Sequence, residues 1–179
     1  MQKITRLSKM PILRAIILVG MSISISACGF HLRGNIPLSE GIQSMYLDAP
    51  DGNFKDTLEE VLTNAGAQLA TGKGGADVVL RIKKAGTTRT VGTLDERGKA
   101  NSYNLRFKVD YKLTEVGAAK DAEEIRKASL IEMRRYNFDP DLVLESESEE
   151  EELQSNMEES IALRIVRQLS TITSFSPKN

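Results

Sequence analysis

The chain of 179 residues has no tryptophan, one cysteine and one histidine. Each scarcity closes off a class of function. With Cys28 alone no internal disulfide can form, so stability has to come from a packed core. Zinc sites need His/Cys clusters, which one histidine and one cysteine do not supply. A Ser-His-Asp or Cys-His arrangement needs its base on a rigid scaffold, whereas His31 sits three residues from Cys28, in a segment read below as a tether. There is no phosphate-binding loop either: Gly72-Lys73-Gly74-Gly75 lacks the required spacing and reads as a flexible turn. Carboxylate-only chemistry, as in sugar hydrolysis, is left open by composition. The reading adopted is a protein that is not an enzyme, with no catalytic residues, metal or cofactor.

Acidic residues are also missing, from the first 39 positions. That stretch carries Lys3, Arg6, Lys9 and Arg14, then an apolar run from Ala15 to Ile25. A basic start, a short apolar core and small residues at its end are the layout of an export signal. The run is too short for a transmembrane helix, which needs about 20 apolar residues. It ends in Ile25-Ser26-Ala27-Cys28, which resembles the bacterial lipobox, where the thiol is acylated and becomes the mature N-terminus. The expected organisation is a lipoprotein signal over 1–27 and one domain over 28–179, tethered to a membrane at Cys28. Each buried methylene of an acyl chain contributes about 0.8 kcal/mol, and two or three chains make the attachment lasting. Gly29 rather than Asp after the cysteine favours the outer membrane of a Gram-negative bacterium.

Without residues 1–27 the chain keeps 20 Lys/Arg against 25 Asp/Glu. The charges are segregated: 81–135 holds 14 bases and 8 acids, and the remainder is acidic, most densely in Glu145–Glu152. An exported basic surface meets few nucleic acids, so its anionic partners are lipid phosphates, sugar acids or another protein. The run Glu145–Glu152 is read as a solvated helix entrance.

Within the basic middle, Tyr103, Leu105, Phe107, Val109, Tyr111 and Leu113 alternate with Ser102, Asn104, Arg106, Lys108, Asp110 and Lys112. Period two over twelve residues predicts a strand with one face on a core and one in water. Ala76 to Thr90 reads as a second strand, joined to the first by the turn Asp95-Glu96-Arg97-Gly98. Glu123 to Asn137 reads as a third, with a bulge where alternation slips at Leu130-Ile131. A short strand over 44–47 comes earlier. A helix begins with Asn53 as N-cap, carries the stripe Phe54, Leu58, Val61, Leu62, Ala65, and stops at Gly66. A last helix runs from near Ser148 towards Ile172, with Leu153, Met157, Ile161, Ile165, Leu169 and Ile172 on one side. The predicted fold is an α+β two-layer sandwich: a mixed four-stranded sheet with two helices on one face, in the order β-α-β-β-β-α.

The heptad Cys28-Gly29-Phe30-His31-Leu32-Arg33-Gly34 closely resembles the N-terminal signature of the lipopolysaccharide-assembly lipoprotein LptE family, also called rare lipoprotein B. Arg97-Gly98-Lys99-Ala100-Asn101-Ser102-Tyr103 and Arg134-Arg135-Tyr136-Asn137-Phe138-Asp139-Pro140 resemble it more weakly. The resemblance implies an outer-membrane lipoprotein that plugs and stabilises the LptD barrel, takes part in lipopolysaccharide assembly and binds lipopolysaccharide. It points to Arg97, Lys99, Lys127, Arg134 and Arg135 as the lipopolysaccharide-facing residues. The acidic run Glu145–Glu152 departs from the family pattern. A lipoprotein that scaffolds or chaperones another outer-membrane machine, without touching glycolipid, is the alternative.

Overall fold

Strand β1 (Ser44–Asp48) buries Met45 and Leu47 and leads into helix α1 (Asn53–Asn64). These and all that follows come from a computed structural model that describes residues 37–117 and 124–172, within the unit Asn35–Asn179. Cys28 and its flanking motif lie outside the described residues, as does Glu123, the expected start of the third strand. In α1 the buried residues are Phe54, Leu58 and Leu62, four apart on one stripe. Asn53 is the first helical residue and not the cap; Gly52 holds that position without a side-chain hydrogen bond. Gly66 ends the helix as expected, with its N–H on the Thr63 carbonyl at 2.9 Å.

The sheet has five strands where four were expected. The extra one is β2 (Gln68–Leu69), paired in parallel with β1; two residues are too few to show a period. Next come β3 (Val78–Leu94), β4 (Ala100–Glu115) and β5 (Arg126–Asn137). The spatial order is β2-β1-β3-β4-β5, with β3 parallel to β1 and the last three antiparallel. Helix α2 (Val143–Ser170) closes the chain. The class is as predicted: α+β, a mixed sheet with two helices.

One core joins the layers. Leu105, Phe107, Val109, Tyr111 and Leu113 of β4 are all buried, and they share a cluster with Leu58 and Leu62 of α1 and Met157, Ile161 and Ile165 of α2. The ring of Phe107 meets Phe54 edge-on at 5.2 Å. Arg106 and Lys108 stay accessible on the opposite face, as alternation requires.

Two boundaries differ for physical reasons. Helix α2 starts at Val143, five positions before Ser148, because the turn ahead of it is tied down. The Asp139 carboxylate accepts the Asp141 N–H at 2.9 Å, and the Asp139 N–H donates to the buried Ser146 hydroxyl. Glutamates in the opening turns then suit the positive end of the helix dipole. The bulge is not at Leu130-Ile131. Pairing of β5 with β4 runs unbroken from Arg126 to Asn137, Leu130 facing the core and Ile131 the other side. The register shifts lie in β3 instead, around Lys83 and Gly92. At Gly92 any Cβ would sit 2.6 Å from the Ser102 hydroxyl, so the bulge there accepts only glycine.

Strand β5 is an outer strand of the sheet. Alongside it, Arg164 of α2 donates to the Ile131 backbone carbonyl at 3.0 Å and pairs with Glu132 at 3.3 Å.

Candidate functional site: a cationic groove on the open sheet face

The even-numbered residues of β4 point away from the helices, and partners directly across the ladder share their face. Arg106 stands opposite Met133 of β5 and Thr88 of β3; Asn104 stands opposite Arg135 and Thr90. These six residues, together with Leu105 and Arg134, line a shallow groove of about 600 Å³. Arg135 donates to the Asn104 side chain at 3.0 Å, which holds its guanidinium over the groove. No carboxylate among the described residues pairs with Arg106.

The far end of the same face is electrically different. Arg81 pairs with Asp48 at 2.7 Å, and Lys108 with Asp110 at 3.2 Å. Lys112 and Lys127 both reach Glu124, each at 3.5 Å. A hydrogen bond from Ser129, opposed by burial and joined by Lys108, keeps the Asp110 carboxyl below its usual range. The positive charge of this face is therefore compensated at one end and exposed at the groove. Two guanidiniums flanking neutral hydroxyl and amide groups suit an oxyanion such as a phosphate, through paired charge-assisted hydrogen bonds.

The five residues singled out in the sequence fall at four places. Arg97 and Lys99 occupy the tip of the β3–β4 hairpin, where the Asp95 carboxylate accepts both of their backbone N–H groups at 2.9 and 2.8 Å. Gly98, at φ 77°, supplies the left-handed residue of that turn. Arg135 lies in the groove, on β5 beside that hairpin. Lys127 does not: it pairs across from Lys112, so at 3.4 Å per residue it sits about 45 Å from the tip. Arg134 borders the groove, but it stands opposite Leu105 on the helix side and its guanidinium bonds Glu132 at 2.7 Å. Arg106 was the member not singled out. The available signal was its place in the alternation, two positions from Lys108, on the face already read as open.

A second cluster fixes the base of the hairpin on the helix side. The Arg89 guanidinium lies 3.7 Å over the Tyr103 ring and 3.1 Å from Glu150. Tyr103 stacks on Tyr136 and meets Phe138 edge-on. The Tyr136 hydroxyl donates to the same Glu150 carboxylate at 2.5 Å. Burial, together with that bond, pushes the Tyr136 hydroxyl well above its ordinary pKa. Within Glu145–Glu152, then, most side chains are solvated as read, but Glu150 is a structural contact. Its neighbours in sequence gave no sign of it, because the pairing spans 61 residues to Arg89.

Fold and groove together define a class: a two-layer α+β domain with helices on one sheet face and a cationic groove on the other. The family model described as "LptE: Lipopolysaccharide-assembly" matches residues 42–169. The chain belongs to the LptE family, and so is a lipoprotein of lipopolysaccharide assembly. The LPS-assembly lipoprotein LptE of Pectobacterium atrosepticum is 26% identical over 160 residues, covering 87% of this chain and 84% of its own length. Among solved structures, the solution structure of lipoprotein B from Nitrosomonas europaea is 26% identical with a TM-score of 0.63, over 79% of this chain and 90% of that one. The crystal structure of a minor lipoprotein from Acinetobacter baumannii is 25% identical with a TM-score of 0.58, over 75% and 93%.

Proposed function

We propose that the protein is acylated at Cys28, held at the outer membrane, and seated in an LptD-type barrel, where it binds lipopolysaccharide without catalysing a reaction. The supporting observation is the uneven charge of the open sheet face. Arg106 and Arg135 in the groove, with Arg97 and Lys99 beyond them at the tip of the β3–β4 hairpin, form its uncompensated end. Lipopolysaccharide presents phosphates and sugar carboxylates, the groups that guanidiniums hold most firmly. A barrel lumen is polar and wet, so a small domain with its core turned inward and charge outward fits there.

Charge reversal in the groove, Arg106→Asp with Arg135→Asp, is expected to weaken lipopolysaccharide binding by the full-length protein at least ~10-fold at 0.15 M salt, where screening acts over about 8 Å. Lys55→Asp, on α1 and paired with Asp51, is expected to leave binding within about twofold. Equal losses from both changes would mean that only net charge matters. Loss of barrel capture with no glycolipid affinity in the parent protein would favour the scaffold alternative.

The anchor has its own test. Cys28→Ala is expected to abolish acylation and release the protein from the outer-membrane fraction when the barrel is depleted. Continued membrane partitioning of that variant would sink the anchor reading.

A further inference from the structure

After Cys28 the chain has three methionines: Met45, Met133 and Met157. Met45 and Met157 are 0% exposed in the core, whereas Met133 is 68% exposed. Met133 also sits in a particular place. It stands directly across from Arg106, beside Arg135, and is the exposed apolar side chain of the groove, whose other apolar lining residue, Leu105, is fully buried. A thioether is soft and polarizable, able to pack against a ligand's apolar part, and its oxidation yields a polar, chiral sulfoxide.

We infer that Met133 is a modification site, where two-electron oxidants such as hypochlorous acid convert the groove from an amphipathic surface to a polar one. The reaction balances without help from the protein. The sulfur lone pair attacks the chlorine of hypochlorous acid and hydroxide departs. Water then adds its oxygen to sulfur, and chloride leaves. Sulfur loses two electrons, chlorine gains two, and the net products are sulfoxide, chloride and a proton. The change is reversible, because methionine sulfoxide reductases restore the thioether, one enzyme for each epimer. Selective oxidation follows from exposure alone. The consequence for binding rests on the reading of the groove as a glycolipid site.

The test treats full-length protein in detergent micelles with one to two equivalents of hypochlorous acid and maps sulfoxides by peptide mass spectrometry. Met133 is expected to oxidise at least ~10-fold faster than Met45 or Met157, as exposure dictates. Lipopolysaccharide binding by the oxidised parent is expected to fall several-fold and to recover after incubation with both reductases. Met133→Leu, which keeps an apolar side chain but has no sulfur to oxidise, is expected to show the same affinity before and after oxidant treatment, whatever its starting affinity. Comparable oxidation at all three positions would overturn the assignment of the site. Selective oxidation of a binding-competent parent with unchanged affinity would overturn the switch. An unoxidised parent with no affinity for lipopolysaccharide would instead remove the glycolipid reading, and the peptide map would still decide whether Met133 is the modified residue.

Discussion

Phe107→Ala is expected to destabilise the folded domain by about 3–5 kcal/mol, the usual range for truncating a fully buried aromatic. Phe107 is 2% exposed and its ring is held edge-on by Phe54. It therefore links the middle of the sheet to the first turn of α1, and truncation opens a cavity that neither layer can close alone. The adjacent residue provides the control. Lys108 faces the other way, its charge meeting Asp110 at 3.2 Å in the open, so Lys108→Ala is expected to change stability by no more than about 0.5 kcal/mol. Urea unfolding of both variants measures the difference. Similar losses at the two positions would contradict the assignment of faces along β4.

Glu150→Ala is expected to lower stability by about 2 kcal/mol, because it strands a buried donor. Tyr136 is 3% exposed and its hydroxyl has Glu150 as its acceptor; the Arg89 guanidinium loses the same carboxylate. Tyr136→Phe deletes the hydroxyl along with its need for a partner and leaves the Arg89–Glu150 pair intact, so it is expected to cost about half as much. The two changes combined should cost less than their sum, since they break one shared bond. A pH signature accompanies this. The folded-state pKa of Tyr136 is raised, so its contribution is complete below the unfolded value of about 10 and declines as the pH climbs past it. The parent should therefore lose stability above pH 10 more steeply than Tyr136→Phe. Parallel alkaline limbs would show that the hydroxyl is not held as described.

What could be read in advance depended on how locally each feature is encoded. The β4 strand was legible because twelve residues alternate without interruption, and a period-two pattern fixes which side chains face the core. The stripe from Phe54 to Ala65 fixed α1 in the same way. The β3 bulges were hidden by an inference drawn from the wrong strand. Leu130-Ile131 breaks alternation without breaking register, because Ile131 shelters on the open face. Lys83-Lys84, two exposed lysines in succession, was the better signal for an inserted residue. The groove was half legible. Arg135, Arg97 and Lys99 lie towards one end of the sheet, but sequence proximity and basic character could not separate them from Lys127, which is at the other end of the ladder. Nor could they show that Arg134 turns inward to Glu132. Which cations are neutralised is decided by contacts between strands, and those are set by register rather than by composition.

The contact between Arg164 and the Ile131 carbonyl bears on how this domain avoids unwanted company. The outer strand of an open sheet carries a row of backbone groups able to accept an additional strand, which invites aggregation and swapping. On β5 the charged residues Arg126, Lys127, Glu132, Arg134 and Arg135 already discourage such an approach. Arg164 goes further by engaging a main-chain acceptor of that strand and anchoring the same guanidinium on Glu132. An incoming strand would have to displace α2's arginine and leave Glu132 without one of its two cationic partners. The last helix thus serves as a guard rail along the margin of the sheet as well as a roof over its core.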